Sequence, residues 1–529
     1  MSKINERLKS VPWAMLIIIF LSGALAYKIY SGFAIKRELD ITAGRWDKIL
    51  LILSQVDGNY VDSVDHSRVT EDVIPYILTK LDPHSLYLSP EELKSADEQL
   101  QGNFDGIGVQ FNVPNDTAVV INVIPGGPSE RAGVLSGDRL VKVNGELVAG
   151  IKMNQDSLVS RLRGKSGTMV NVSVKRVGVK DLIGFDIKRD KIPVKSLDVS
   201  YMINDTTGYI KLSRFTRTSY KEFMDAISLL RKEGMRSLIF DLRGNTGGYL
   251  DQALLLSNEF LNKGDLIVYM KGRHRPRQDF YADNNGKCRD LSLKVIIDEG
   301  SASSSEIFAG AIQDNDRGVI IGRRSFGKGL VQEPIYFSDN SGIRLTVARF
   351  YTPTGRSIQK PYDANYREDI IERYRHGEMM SADSIRQNDS LMYKTPKGKT
   401  VYGGGGITPD IFVPIDTTGI SNFFIKVSNM GLTFRFSASM ADEYRPSLNK
   451  IKSMKDLNNL FKEVNFEARF LSFAAANGIK PGVGEWEESK DLINNHIKAF
   501  IGRYSPLDDN AFYPILLEKD NMVIAAIEQ

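Results

Sequence analysis

The stretch from Gly322 to Gln332, "GRRSFGKGLVQ", puts one lysine on a glycine-flanked turn, and two chemistries compete for it. Gly322, Gly327 and Lys328 satisfy G-x-x-x-x-G-K-[ST] as far as the lysine, and the apolar run "GVII" precedes them, as a strand precedes a phosphate-binding loop. The hydroxyl that would hold Mg²⁺ is missing, because Gly329 comes next. No helix start follows either: "LVQEPIYF" carries Pro334 and β-type residues, so no helix N-terminus would face a phosphate. A nucleotide site therefore loses its metal ligand and its helix dipole together. A lysine can instead act as a general base where burial disfavours its ammonium form.

A candidate nucleophile lies upstream in "DEGSASSSEIFAGAIQDN". The strand "LKVIID" ends at Asp298, and Ile307, Phe308, Ala311 and Ile312 have helical spacing, so a helix begins near the serines. Ser303 and Glu306 satisfy S-x-x-E, a capping box that needs no catalysis. The same serine sits at a strand-to-helix junction beside the positive end of a helix, where a hydroxyl can attack and backbone N–H groups can receive charge. No histidine lies in these segments to activate it, and Ser-Lys pairing is a known variant of the triad logic. Gln332, four residues beyond Lys328, can orient the amine through its side-chain carbonyl. A third stretch, "LIFDLRGNTGGYLDQA", reads as strand, glycine-rich loop and helix. Gly247 and Gly248 would let backbone approach a substrate closely, and the pattern is not the G-x-G-x-x-G of a dinucleotide site.

These loops need elements to hold them. From Arg45 to about Leu100 apolar residues recur at helical spacing, broken by "LDPHSLYLSPEEL", where Pro83 marks a turn and Ser89 to Glu92 a helix start. Between about Gly102 and Arg189 short β-like runs alternate with glycine-rich turns, and Asn144-Gly145 predicts a tight hairpin. Beyond that module, runs such as "TGYIKLSRF", "SLIFDLRG" and "GVIIG" alternate with helical stretches, which argues for a mixed α/β core. Pro361 to Thr400 is polar and reads as a loop or insertion. After "GGGGITPDIFVP" the chain is mainly helical and carries no chemical motif. The expected organisation is residues 1–36 as signal or anchor, 37–100 helical, 101–190 a β-rich module, 191–415 the α/β core, and 416–529 helical.

Bulk properties narrow the classes. The chain has 529 residues, too many for one core. The formal charge of +4, from 69 basic and 65 acidic residues, is too balanced to suggest nucleic acid as partner. The basic run "KGRHRPRQ", without interleaved aromatics, reads as a solvated loop. Cys288 is the single cysteine and the five histidines are scattered, so no metal site and no cofactor are expected. Lys3, Arg7 and Lys9 precede an uncharged run from Val11 to Tyr27, about 17 residues, just enough to span a bilayer. That pattern favours a retained membrane anchor over a cleaved signal peptide, with the remainder working outside the cytoplasm. The apolar spacing of the C-terminal helices leaves room for a homo-oligomer.

Taken together, "DLRGNTGG", "GSASSSEIFAGAIQDNDRGVIIG" and "SFGKGLVQ", in that order, resemble the carboxyl-terminal processing (tail-specific) serine proteases. The resemblance extends to "LDPHSLYLSPEE", "RLTVARFYTPTGRSI" and "GGITPD" and covers residues 45–415. It implies a multidomain α/β (α+β) chain with a protease core of the ClpP/crotonase-like type, and an endopeptidase cleaving proteins near their C-termini from the periplasmic side of the inner membrane. It makes Ser303 the nucleophile, Lys328 the general base and Gln332 its partner, with the Ser304 N–H and a glycine of the 247–248 pair at the oxyanion. Alanine is usual in the family where this chain has Ser304, a difference expected to matter little because the hole would use backbone. The β-rich module, with "FDGIGVQF" and "PGGPSERAGVLSGDRLVKVNG", looks like a PDZ domain. Gly106, Ile107, Gly108 and Val109 would then receive a peptide's C-terminal carboxylate, and Arg163 would report binding to the catalytic body. The alternative from another class is a PDZ adaptor carrying an inactive protease body.

Overall fold

The computed structural model describes residues 47–362, 366 and 368–529, so the expected signal or anchor lies outside the described residues. Among the described residues no helix is long and apolar enough to cross a membrane. The chain divides into two units, residues 1–80 and residues 81–529. In the first, the helices Asp47–Asn59 and His66–Thr79 form as their spacing predicts, the second capped by the Asp65 carboxylate, which accepts the Arg68 N–H. The division falls twenty residues before the expected boundary at 100. The segment from Leu81 belongs with the body because its short strand Leu86–Leu88 pairs antiparallel with Gly342–Tyr351. Ser89 caps the helix Pro90–Gln101 in a complete capping box with Glu92.

The centre of the second unit is a six-stranded sheet in the order Leu197–Met202, Thr207–Leu212, Ser237–Asp241, Ser292–Ile297, Val319–Gly322, Ile411–Phe412. Its first pair is antiparallel and the rest are parallel. Parallel strands need both faces covered, which is why these segments read as unbroken apolar runs. Side chains alternate between the faces. Leu238, Phe240, Val295 and Ile297 pack with Phe223, Phe260 and Phe308 of the helices Ser219–Lys232 and Ser304–Asp314 and the intervening chain. Tyr209, Ile239, Ile296 and Ile321 face the other way, onto Met522, Val523 and Ala526 of the last helix, Asn521–Ile527. The expected boundary near 415 is thus crossed: the end of the chain closes the core's second face.

A second sheet carries the long strand Gly342–Tyr351, paired with Leu330–Tyr336 and with Leu266–Lys271. The loop expected between 361 and 400 has structure of its own, a helix Asp369–Arg375 and a hairpin pairing Met392–Lys394 with Thr400–Tyr402. The polar composition hid both, since each buries only one or two side chains. The basic run between Lys271 and Gln278 is the exposed turn of a hairpin, as predicted.

The β-rich module closes on itself where Asn103–Gly106 pairs with Asp190–Pro193, so both its ends leave from one place, as an inserted domain requires. Asn144 and Gly145 both have positive φ in the predicted tight turn. The strand Val109–Asn115 lies at the edge of its sheet, bonded among the described residues only to Thr117–Val123. On the outer face, Ile121 packs on the C-terminal helical cluster around Phe423, Phe436 and Phe470. Asn122 donates to Asp508 at 2.7 Å and Arg139 pairs with Asp442. The C-terminal helices therefore bridge the module and the central sheet.

Candidate active site

Three neighbouring parallel strands, Ser237–Asp241, Ser292–Ile297 and Val319–Gly322, end on the same side of the sheet. The loops that leave their carboxyl ends are the three stretches singled out by residue type, and open α/β sheets place their sites there. Sheet order alone brings them together, although they lie far apart in sequence.

Ser303 stands at the end of its loop with φ 56° and ψ −112°, a strained conformation for a residue with a Cβ, and caps the helix Ser304–Asp314. The Glu306 carboxylate holds it there by accepting the Ser303 N–H at 2.8 Å, the returning arm of the predicted capping box. Sequence spacing did not disclose what else that carboxylate does. The same Oε2 accepts the Lys328 N–H at 2.9 Å, while Oε1 accepts the Gly327 N–H at 2.7 Å and the Ser325 hydroxyl at 2.5 Å. One buried acid thus fastens the backbone of Ser303 to the backbone of Lys328. Burial pushes its carboxyl pKa up, against the pull of those four donors. The phosphate reading ends here, since the loop's N–H groups already have their anion.

The Lys328 side chain is half-buried and its amine donates to Gln332 Oε1 at 3.0 Å. Burial, then the Arg344 charge, pulls its pKa below the ordinary lysine value, while Glu306 and Asp82 pull it up. In this conformation the Ser303 hydroxyl and the Lys328 amine are not hydrogen-bonded to one another; such contacts commonly tighten only when substrate is bound.

The glycine loop supplies the opposite wall. A Cβ on Gly247 would come within 2.8 Å of Ser303 Cβ, and one on Gly248 within 1.9 Å of the Phe215 carbonyl, so neither place tolerates a side chain. The pair is not equivalent. The Gly247 N–H is spent on Asn245 Oδ1 at 2.9 Å, whereas the Gly248 N–H has no acceptor among the described residues. The Ser304 N–H, first in its helix, is out of reach of any intrahelical carbonyl. Asn245, which composition did not single out, is the buried hub: its carbonyl accepts the Ala302 N–H and the Ser305 hydroxyl, and its side chain donates to the Leu212 carbonyl.

Ser304 uses its hydroxyl after all, donating to the Gly248 carbonyl at 3.0 Å. One neutral hydrogen bond is worth about 1 kcal/mol. Ser304→Ala should therefore lower kcat by less than about tenfold, measured on any cleaved substrate; a larger loss would give the hydroxyl a share in the chemistry.

In the β-rich module the carbonyls of Ile107 and Gly108 are occupied by Ser129 and Ile124. The Ile107 and Gly108 N–H groups have no acceptor among the described residues, and Val109 opens the edge strand. Gly106 lies in the paired neck. Arg163 does not reach the loops described above. It pairs with Glu98 at 3.1 Å and lies over the Phe104 ring at 4.6 Å.

The description of Peptidase family S41 matches residues 206–367, that of the PDZ domain residues 106–188, and a family of unknown function (DUF8443) residues 423–505. The carboxy-terminal processing protease CtpA of Bacillus subtilis is 34% identical over 349 residues, 65% of this chain and 74% of that protein. The carboxy-terminal-processing protease of Bartonella bacilliformis is 38% identical over 316 residues, 58% of this chain and 71% of its own. Among solved structures, the photosystem II D1 C-terminal processing protease is 25% identical with a TM-score of 0.36, over 67% of this chain and 84% of that one.

Proposed function

Because the chain belongs to the carboxyl-terminal processing proteases of peptidase family S41, and is a serine-type peptidase with a PDZ domain, we propose that Ser303 is its nucleophile and Lys328 its general base. Neutral Lys328 takes the Ser303 hydroxyl proton as the oxygen attacks the scissile carbonyl carbon. The carbonyl oxygen, now negative, is received by the Ser304 and Gly248 N–H groups. Lys328 returns its proton to the leaving amine as the C–N bond breaks, and water, deprotonated by the same amine, releases the acyl group and restores Ser303. The Ile107-Gly108-Val109 loop holds the substrate's terminal carboxylate, and the edge strand Val109–Asn115 accepts its tail. The basic start and apolar run at the N-terminus support export to the outer side of the membrane, with a retained anchor.

The observation that carries this reading is the Glu306 carboxylate, which ties the Ser303 and Lys328 backbones to a single oxygen beside a lysine whose pKa burial lowers. The pH profile tests it. The base must be neutral, so kcat/KM should rise with pH through the Lys328 pKa, below the ordinary lysine value. Arg344 lowers that pKa. Arg344→Gln should accordingly move the rising limb to higher pH, measured with a quenched-fluorescence peptide. A limb that stays in place, or moves down, contradicts Lys328 as the titrating group.

A further inference from the structure

The amide of Gln332 has an acceptor end and a donor end, and only the first can receive a hydrogen bond from the Lys328 amine. What decides its orientation lies on its far side, where Gln332 Nε2 donates to the backbone carbonyl of His84. A carbonyl cannot donate, so this contact locks Oε1 towards Lys328, where it sits 3.0 Å from Nζ. The position of the His84 carbonyl is set in turn by the buried Asp82. Its Oδ1 accepts the His84 and Ser85 N–H groups, both at 2.8 Å, and its Oδ2 accepts the Ser85 hydroxyl at 2.6 Å. Asp82 also accepts the Thr346 hydroxyl at 3.2 Å, and the Ser85 hydroxyl accepts the Thr346 N–H. Thr346 is the cross-strand partner of Gln332 in the hairpin that follows the lysine loop. The turn is therefore pinned to the strand opposite the residue it orients. His84 is further fixed by its ring, which bonds the Tyr366 hydroxyl and meets the Tyr366 and Phe326 rings edge-on.

We propose that Asp82 is a positioning residue for the peptidase reaction: the turn it closes presents the His84 carbonyl, which holds Gln332, which aims the Lys328 amine. The proposal rests on the Ser303–Lys328 reading and gives the "LDPHS" segment a task in that site. It also separates two influences of Asp82. Its charge acts on Lys328 directly, together with those of Arg344 and Glu306. Its hydrogen bonds act only through Gln332.

A double-mutant cycle on the full chain distinguishes the routes. Asp82→Ala should lower kcat by roughly ten- to a hundredfold, the size of loss that follows misaligned groups, with KM changed less than about twofold. In a Gln332→Ala background the same substitution should cost less than about twofold more, because the residue it positions has gone. Equal losses in both backgrounds would overturn the proposal, as would a change confined to KM. Thermal unfolding checks that each variant is folded. If Asp82→Ala is not, Asp82→Leu runs the same cycle, since it fills the same space and accepts none of the bonds that shape the turn. Full activity of Lys328→Ala would sink the dyad reading instead, so the two failures are distinguishable.

Discussion

Ser303→Ala should abolish peptide cleavage, and Lys328→Ala should lower kcat on the order of 10²–10⁴-fold, the contribution of a positioned general base. The double variant should be no worse than Ser303→Ala alone, because a base without a hydroxyl to deprotonate has nothing left to lose. The geometry makes this a test of chemistry, since backbone bonds hold both loops. Ser303 and Lys328 are held by backbone N–H groups to Glu306, and those bonds survive truncation to alanine. Cleavage of an unfolded protein, with products weighed by mass spectrometry, measures both effects. Loss in the two variants excludes the adaptor reading. Full activity in either one removes that residue from the mechanism.

The second large effect falls on stability. Arg356 is fully buried, and its guanidinium donates to Asp314 Oδ1 and Gln313 Oε1, both at 2.6 Å, and to the Tyr402 carbonyl at 2.9 Å. Asp314 ends the helix that Ser303 begins, so this pair clamps the far end of the nucleophile's own helix. Arg356→Met leaves a buried carboxylate without its counter-charge and should cost about 3–5 kcal/mol. Urea-induced unfolding followed by a probe in the α/β core reads the loss. Adding Asp314→Leu should recover part of it, since an apolar pair avoids the stranded charge; Thr354, which also donates to Asp314, keeps the recovery incomplete. A loss below about 1 kcal/mol would mean that solvent reaches the site.

The central sheet and the site loops were legible because the relevant signals are local. An apolar run ending in glycines or serines marks the carboxyl end of a parallel strand, and three such ends must gather if their strands are neighbours. Glu306 was legible only as a helix cap. Its spacing to Ser303 is explained within one turn, and nothing in S-x-x-E announces a second set of donors some twenty residues on. Gly247 and Gly248 look alike in sequence, and only the Asn245 side chain tells their N–H groups apart. That the final helix packs back on the central sheet was not legible, because it is apolar on one side like any other and sequence does not say against what. The pairing of Leu86–Leu88 was hidden for the opposite reason: helical spacing continues on both sides of "LDPHSLYL", while the strand it joins is far away in sequence.

Arg243 stands at the head of the glycine-rich loop, with its guanidinium fixed to Asp241 on one side and to Asp520 on the other. Asp520 is also the cap from which the final helix starts. A pull on that helix, or a bulky fusion levering against it, would reach Arg243 through Asp520 and arrive four residues before Gly247. The tail is mechanically in series with one wall of the reaction chamber, and what burdens the one will strain the other.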